Sequence, residues 1–300
     1  MPTAPINEDS HLYLIDASAY IFRAFHALPP LSRASDGLPV GAVAGFCNML
    51  WKLLEELKGD ERPTHFACVF DKGSYPFRND LYPDYKANRD EPPEDLRPQF
   101  PLVREASIAF ACHALEIEGY EADDLIATYA RQAEAKGARV TIVSSDKDLM
   151  QLVTDRITML DTMKNKTLGI PEVHEKFGVG PELVVDVQSL AGDSTDNVPG
   201  APGIGVKTAA QLLSEYGSVE TLLERAEEIK QPKRRQTLID FADQVRISKQ
   251  LVKLDDNVPL EVAVEDLAVC DPDPKTLIDF LEKMEFRTIT RRVRETFEAD

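Results

Sequence analysis

The chain has 300 residues, 43% hydrophobic and 29% charged, which suits a globular protein able to bury a core in one α/β domain or two smaller ones. No apolar run approaches the ~20 residues of a membrane span; the start MPTAPINEDS lacks the parts of a signal peptide; and Cys47, Cys68, Cys112 and Cys270 stand far apart without a C-x-x-C pair, so a cytoplasmic protein with reduced thiols is expected, with neither zinc ribbon nor disulfide framework. The net charge of −18, from 34 basic and 52 acidic residues, argues against a polyanionic partner unless the acids gather at a metal and the bases group elsewhere.

Residues 11–16 (HLYLID) form the first β-rich run. Val43, Phe46, Cys47, Leu50 and Leu54 keep a 3.6-residue period that predicts a helix, and 64–71 (THFACVFD) reads as the next strand. From Lys72 to about Arg104, Pro76, Pro83, Pro92, Pro93, Pro98 and Pro101 exclude one long regular helix. Tyr75, Phe77, Tyr82 and Tyr85 are interleaved there with Lys72, Arg78, Lys86 and Arg89, and a loop of this length is functional or disordered. Leu125, Ile126, Tyr129 and Ala133 predict a second helix ending at Lys136-Gly137, followed by strands at 138–146 and 157–161. Strands alternating with helices imply an α/β fold with a parallel, doubly wound sheet. Beyond about residue 170 helices dominate, with Gly/Pro punctuation at 178–181 and 199–205, so the division expected is an α/β part over 1–170 and a helical part over 171–300.

Asp16, Asp71 and Asp146 stand at or near the C-terminal ends of predicted strands, where ligands of open α/β sheets bind. Glu121, Asp123 and Asp124 occupy the N-terminal turn of the second helix. Asp146 and Asp148 are two apart at a strand end; Asp193 and Asp196 are three apart in AGDSTDN. Each alone is equally a cap, a dipole partner or an Asx turn. Convergence of all nine would raise their pKa values severely, and hard divalent cations relieve that repulsion. All-oxygen ligation without His or Cys suits magnesium or manganese, and so many acids favour two ions, the arrangement that cleaves phosphodiesters.

LIDAS (14–18), VFD (69–71), YPDYKANR (82–89), GYEADD (119–124), SSDKDL (144–149) and GDSTDNVPGAPGIGVKTA (192–209) occur in the order found in the structure-specific 5′-nucleases, or flap endonucleases, and the chain resembles that family. FLEKMEFRTITRRV (280–293) is similar to the end of the N-terminal 5′→3′ exonuclease domain in bacterial DNA polymerase I. The resemblance implies a PIN-like parallel-sheet core, a helical arch at about 72–107 and a helical DNA-binding region with a helix–hairpin–helix element at about 190–215. It implies 5′→3′ exonuclease and flap-endonuclease activity on branched or flapped DNA and RNA-primed DNA, in a bacterial, nucleoid-associated monomer that polymerase domains would follow.

By motif, Asp16, Asp71, Glu121 and Asp123, with Asp124 close by, would surround one ion. Asp146, Asp148, Asp193 and Asp196 would surround the second, sharing Asp123. Lys86 and Arg89 would bind the scissile phosphate, with Tyr85 stacking on bases and Arg78 and Arg23 as further strand contacts. Gly203 and Gly205 would let backbone N–H groups approach a phosphate beside Lys207, with Lys233, Arg234 and Arg235 extending the contact. The carbonyls of Leu190, Ala191, Pro199, Ala201 and Ile204 would hold a potassium ion. An RNA-cleaving nuclease on a similar acidic sheet is the alternative enzyme, and a branched-DNA binder that does not cut is the alternative from another class.

Overall fold

The computed structural model describes residues 2–56, 62–73 and 76–298; Tyr75 of the aromatic series lies outside them. The sheet has the order β3-β2-β1-β4-β5-β6, formed by β1 (His11–Asp16), β2 (His65–Val69), β3 (His113–Leu115), β4 (Arg139–Val143), β5 (Ile157–Asp161) and β6 (Lys166–Leu168). All pairings are parallel except β5 with β6. The three-residue strands β3 and β6 are too short to carry a periodic signal and were not expected from the sequence.

Central β1 reads as continuously apolar because both of its faces are covered. Leu12 and Leu14 join the core beneath α5 (Ala122–Ala135), packing with Leu125, Ile126 and Tyr129. Tyr13 and Ile15 enter the opposite core, built on α1 (Ala17–Ala27), α2 (Gly41–Glu56) and α4 (Gln99–Ala109), where Phe46, Leu50 and Val103 are fully buried. Each such apolar side chain contributes about 1.5–3 kcal/mol. The chain leaves β1 toward β2 on one side and returns from β3 to β4 on the other. The carboxyl ends of β1 and β4 therefore flank the switch point where open sheets bind ligands.

Between Pro76 and Pro98, the prolines allow only the four-residue α3 (Arg78–Leu81) amid turns, so the expected arch is helical only in small part. The helical region contains α6 (Ile170–Phe177), α7 (Val184–Ala191), α8 (Val206–Tyr216), α9 (Val219–Glu224), α10 (Pro232–Asp240) and α11 (Ala242–Val252). The chain then returns to the sheet: the Tyr129 hydroxyl donates to Val262 O and the Ala4 N–H to Glu265 O. The hairpin of α12 (Pro274–Lys283) and α13 (Arg287–Phe297) completes the core around α2 and α4, with Arg292 paired to Glu55. Among the described residues no helix is long and apolar enough to cross a membrane.

Candidate active site

Each strand end presents its carboxylate through a local capping interaction. Asp16, 3% exposed, ends β1; it accepts the Ala19 N–H at 3.1 Å, capping α1, and the Ser144 hydroxyl at 2.8 Å. Asp71, exposed beyond β2, accepts the Ala122 N–H that opens α5 at 2.8 Å. Asp146 caps the short 3-10 helix Lys147–Leu152 by accepting the Asp148 N–H. These contacts satisfy helix-start donors, so the capping reading of a single aspartate is correct and still leaves oxygens free.

Asp193 and Asp196 sit on a hairpin after α7, closed by Asp193 N–H to Val198 O at 2.9 Å and Val198 N–H to Asp193 O at 2.7 Å. Its two sides cross in contact at glycines: a Cβ on Gly200 (φ 60°) would lie 2.3 Å from Gly192 N, and one on Gly192 (φ 70°) 2.6 Å from Val198 O. Only glycine meets both the positive φ and the approach.

The acids converge. Glu121, Asp123, Asp148, Asp193 and Asp196 line one cleft. Burial first, then Asp146, pushes Asp16 up to about 7, with Asp71 adding to the rise. Burial and the charges of Asp16, Asp146 and Asp71 hold Asp123 well above the carboxylate range. Burial, Asp146, Asp196 and Asp193 push Asp148 up to about 7 against a hydrogen bond from Gln188. These contacts link Asp16, Asp71, Asp123, Asp146, Asp148, Asp193 and Asp196 in one chain of mutual repulsion.

Among the described residues no group of three or more Asp, Glu, His or Cys side chains forms a ready-made metal cage. Cationic and amide groups take the oxygens instead. Lys86 pairs with Glu121 and, at 3.6 Å, with Asp196; Arg89 pairs with Asp196; Lys147 pairs with Asp193; Gln188 donates to Asp148. Burial would lower the Lys86 pKa, but Glu121 and Asp196 outweigh it and keep the ammonium charged. An all-carboxylate donor set held under mutual repulsion has the chemistry that hard divalent cations fit.

Three sequence assignments need correction. Asp124 is fully buried, and its oxygens accept from Arg78 at 2.7 Å each, from the Glu121 N–H at 3.2 Å and from the Asp255 N–H at 2.8 Å, so no lone pair remains for a metal. Arg78, 1% exposed, is no strand contact: its five N–H groups go to Asp124, Glu121, Leu251 O and Lys253 O. Tyr85 does not offer its ring to a base; it packs with Val198, Leu251 and Val252 and donates its hydroxyl to Glu121 at 3.0 Å. Arg23 is half-buried and engaged with Ser145 and Asp161.

Lys86 and Arg89 remain at the opening, their side chains 23% and 50% exposed. Ser144, Lys147 and Gln188 were missed; Ser144 and Lys147 lie inside SSDKDL, whereas nothing local marks Gln188. At the second hairpin Gly203 and Gly205 face open space and Lys207 is exposed at the start of α8. The Leu190 and Ala201 carbonyls accept from Ala201 N–H at 2.8 Å and Ile204 N–H at 3.1 Å. Lys233 is exposed, Arg234 half-buried, and Arg235 donates to Ile229 O at 3.3 Å.

Residues 11–178 match the family described as 5′-3′ exonuclease, N-terminal resolvase-like domain, and 179–275 match 5′-3′ exonuclease, C-terminal SAM fold. The chain is 58% identical over 300 residues to DNA polymerase I of Rhizobium leguminosarum, covering 99% of this chain and 30% of that protein. It is 38% identical to a 5′-3′ exonuclease of Aquifex aeolicus, covering 95% of this chain and 96% of the relative. It spans about a third of the length of the DNA polymerase I relatives it matches. A T5 5′-exonuclease solved with zinc shares the fold at TM-score 0.68 and 20% identity, covering 95% of this chain and 98% of that one. The Rad2 catalytic core with DNA substrate does so at 0.61 and 15%, covering 94% and 91%. With both family regions present in sequence and the acids gathered at the switch point of the first, the chain belongs to the 5′-3′ exonuclease family.

Proposed function

We propose that the chain is a structure-specific 5′→3′ exonuclease and flap endonuclease that cleaves DNA phosphodiesters at the acidic switch point. The mutually repelling carboxylates beneath Lys86 and Arg89 carry this reading. Asp16, Asp71, Glu121 and Asp123 would hold one ion, and Asp146, Asp148, Asp193 and Asp196 a second, with Asp123 shared. Bound magnesium or manganese would supply the positive charge that activates water and stabilises the leaving oxygen. Lys86 and Arg89, at the opening of the cleft, would bind the scissile phosphate and offset charge developing on it. Ser144 and Ser18 hold the Asp16 side chain and the Asp71 backbone in place.

Residues 1–170, joined by Asp193 and Asp196, perform the cleavage, and the rest of 171–300 grips duplex through Gly203, Gly205 and Lys207 of the element at 190–215. A potassium ion at the carbonyls of Leu190, Ala191, Pro199, Ala201 and Ile204 would steady that grip. The short span relative to DNA polymerase I supports a role as the 5′-nuclease part of a longer bacterial polymerase, a monomer working in the cytoplasm on the nucleoid in primer removal and repair. On a 5′-flapped duplex labelled at its 3′ end, magnesium is expected to give a cut near the junction and EDTA none. Asp193→Ala with Asp196→Ala should retain DNA binding and lose the cut; unchanged turnover would defeat the second-ion assignment.

A further inference from the structure

Gln188 lies on the buried face of α7 with Val184, Val187 and Leu190, 3% exposed, where an apolar residue would be expected. Its Nε2 donates to Asp148 Oδ1 at 2.5 Å, and its Oε1 is buried with no hydrogen-bond partner. The alternative amide orientation would set the carbonyl oxygen against a carboxylate oxygen, so the donor must face Asp148. An orphaned buried carbonyl costs about 1–3 kcal/mol, and an N–H donated to a carboxylate returns a gain of about the same size. The amide therefore adds little net stability to the resting fold while it fixes one oxygen of Asp148, a residue that lines the cleft.

Resting on the cation-dependent nuclease reading above, we propose that Gln188 is a positioning residue for the second ion. It locks the Asp148 carboxylate by one N–H. Partners of this kind behind a metal-binding carboxylate are worth about 10–100-fold in metal affinity.

The test is Gln188→Met, which keeps length and shape but removes both polar atoms, with Gln188→Leu as a second apolar variant should the first not fold. Manganese binding to the full chain without DNA is measured by calorimetry, together with cleavage across a magnesium series and thermal midpoints in EDTA. The expected result has three parts: one of two manganese sites weakened by about 10–100-fold; a magnesium half-saturation raised by a similar factor, with the rate recovered at saturating magnesium; and a midpoint in EDTA close to that of the unmodified chain. A purely structural glutamine would lower the midpoint and leave metal binding unchanged, and that outcome overturns the proposal. Asp148→Ala is the control: if it too leaves manganese binding unchanged, the fault lies with the nuclease reading; if it weakens binding while Gln188→Met does not, the fault lies with Gln188 alone.

Discussion

Arg78 and Lys86 come from the same proline-rich segment, and both reach Glu121, yet burial separates their roles. The Arg78 side chain is 1% exposed and spends every N–H on Asp124, Glu121 and two carbonyls near the end of α11. Lys86, 23% exposed at the side chain, makes ion pairs at the cleft mouth that a bound cation or phosphate can replace. One cation anchors the proline-rich segment; the other keeps partners that can be exchanged. In a carboxylate site, the number and depth of a cation's partners distinguish scaffold from machinery.

The sharpest break of this comparison is Arg78→Met. It strands Asp124 without its counter-charge, and losing one partner of a buried pair costs about 3–5 kcal/mol. A urea midpoint near that of the unmodified chain would overturn the anchoring role. Lys86→Ala should leave the midpoint in magnesium nearly unchanged and slow single-turnover cleavage by about 10²–10³, as loss of a preorganised charge-stabilising donor does. A normal chemical rate would remove Lys86 from the mechanism.

The acids beneath sharpen the contrast through pH. Asp16 and Asp148 are each pushed up to about 7. A carboxylate raised in the folded state binds more protons there than when unfolded. Its stabilising contribution is complete below about pH 4 and is lost as pH rises through about 7. In EDTA the urea midpoint should therefore fall between about pH 4 and 7, and saturating magnesium should flatten that fall. A midpoint that climbs instead would mean that these acids are not crowded together. The smallest effect is at the periphery: Lys207→Ala should reduce the slope of log DNA affinity against log salt by about one, with cleavage at saturating DNA unaltered.

Much of this was legible beforehand where the physics is local. Continuous apolar runs marked β1, β2, β4 and β5, helical periods marked α2 and α5, and prolines showed that the arch could not be one helix. Aspartates at strand ends pointed to the switch point because sheet topology sends those ends to one place. The failures were tertiary. Arg78 and Tyr85 look exposed among prolines, and residues far along the chain, Val198, Leu251 and Val252 among them, help bury them. Asp124 shares its turn with Asp123, but the capping box and Arg78 turn it inward while Asp123 faces the other acids. Gln188 gave no sign, since a glutamine on a short helix is ordinarily at the surface.

The crossing of Gly192 and Gly200 has a consequence for how this centre tolerates change. Because no side chain fits between those strands, the junction behaves as a fixed fulcrum for Asp193 and Asp196. Enlarging either glycine by a single methyl group would lever both aspartates away from their neighbours without altering one reactive atom, so inactivity can be inherited through a position that carries no reactive group.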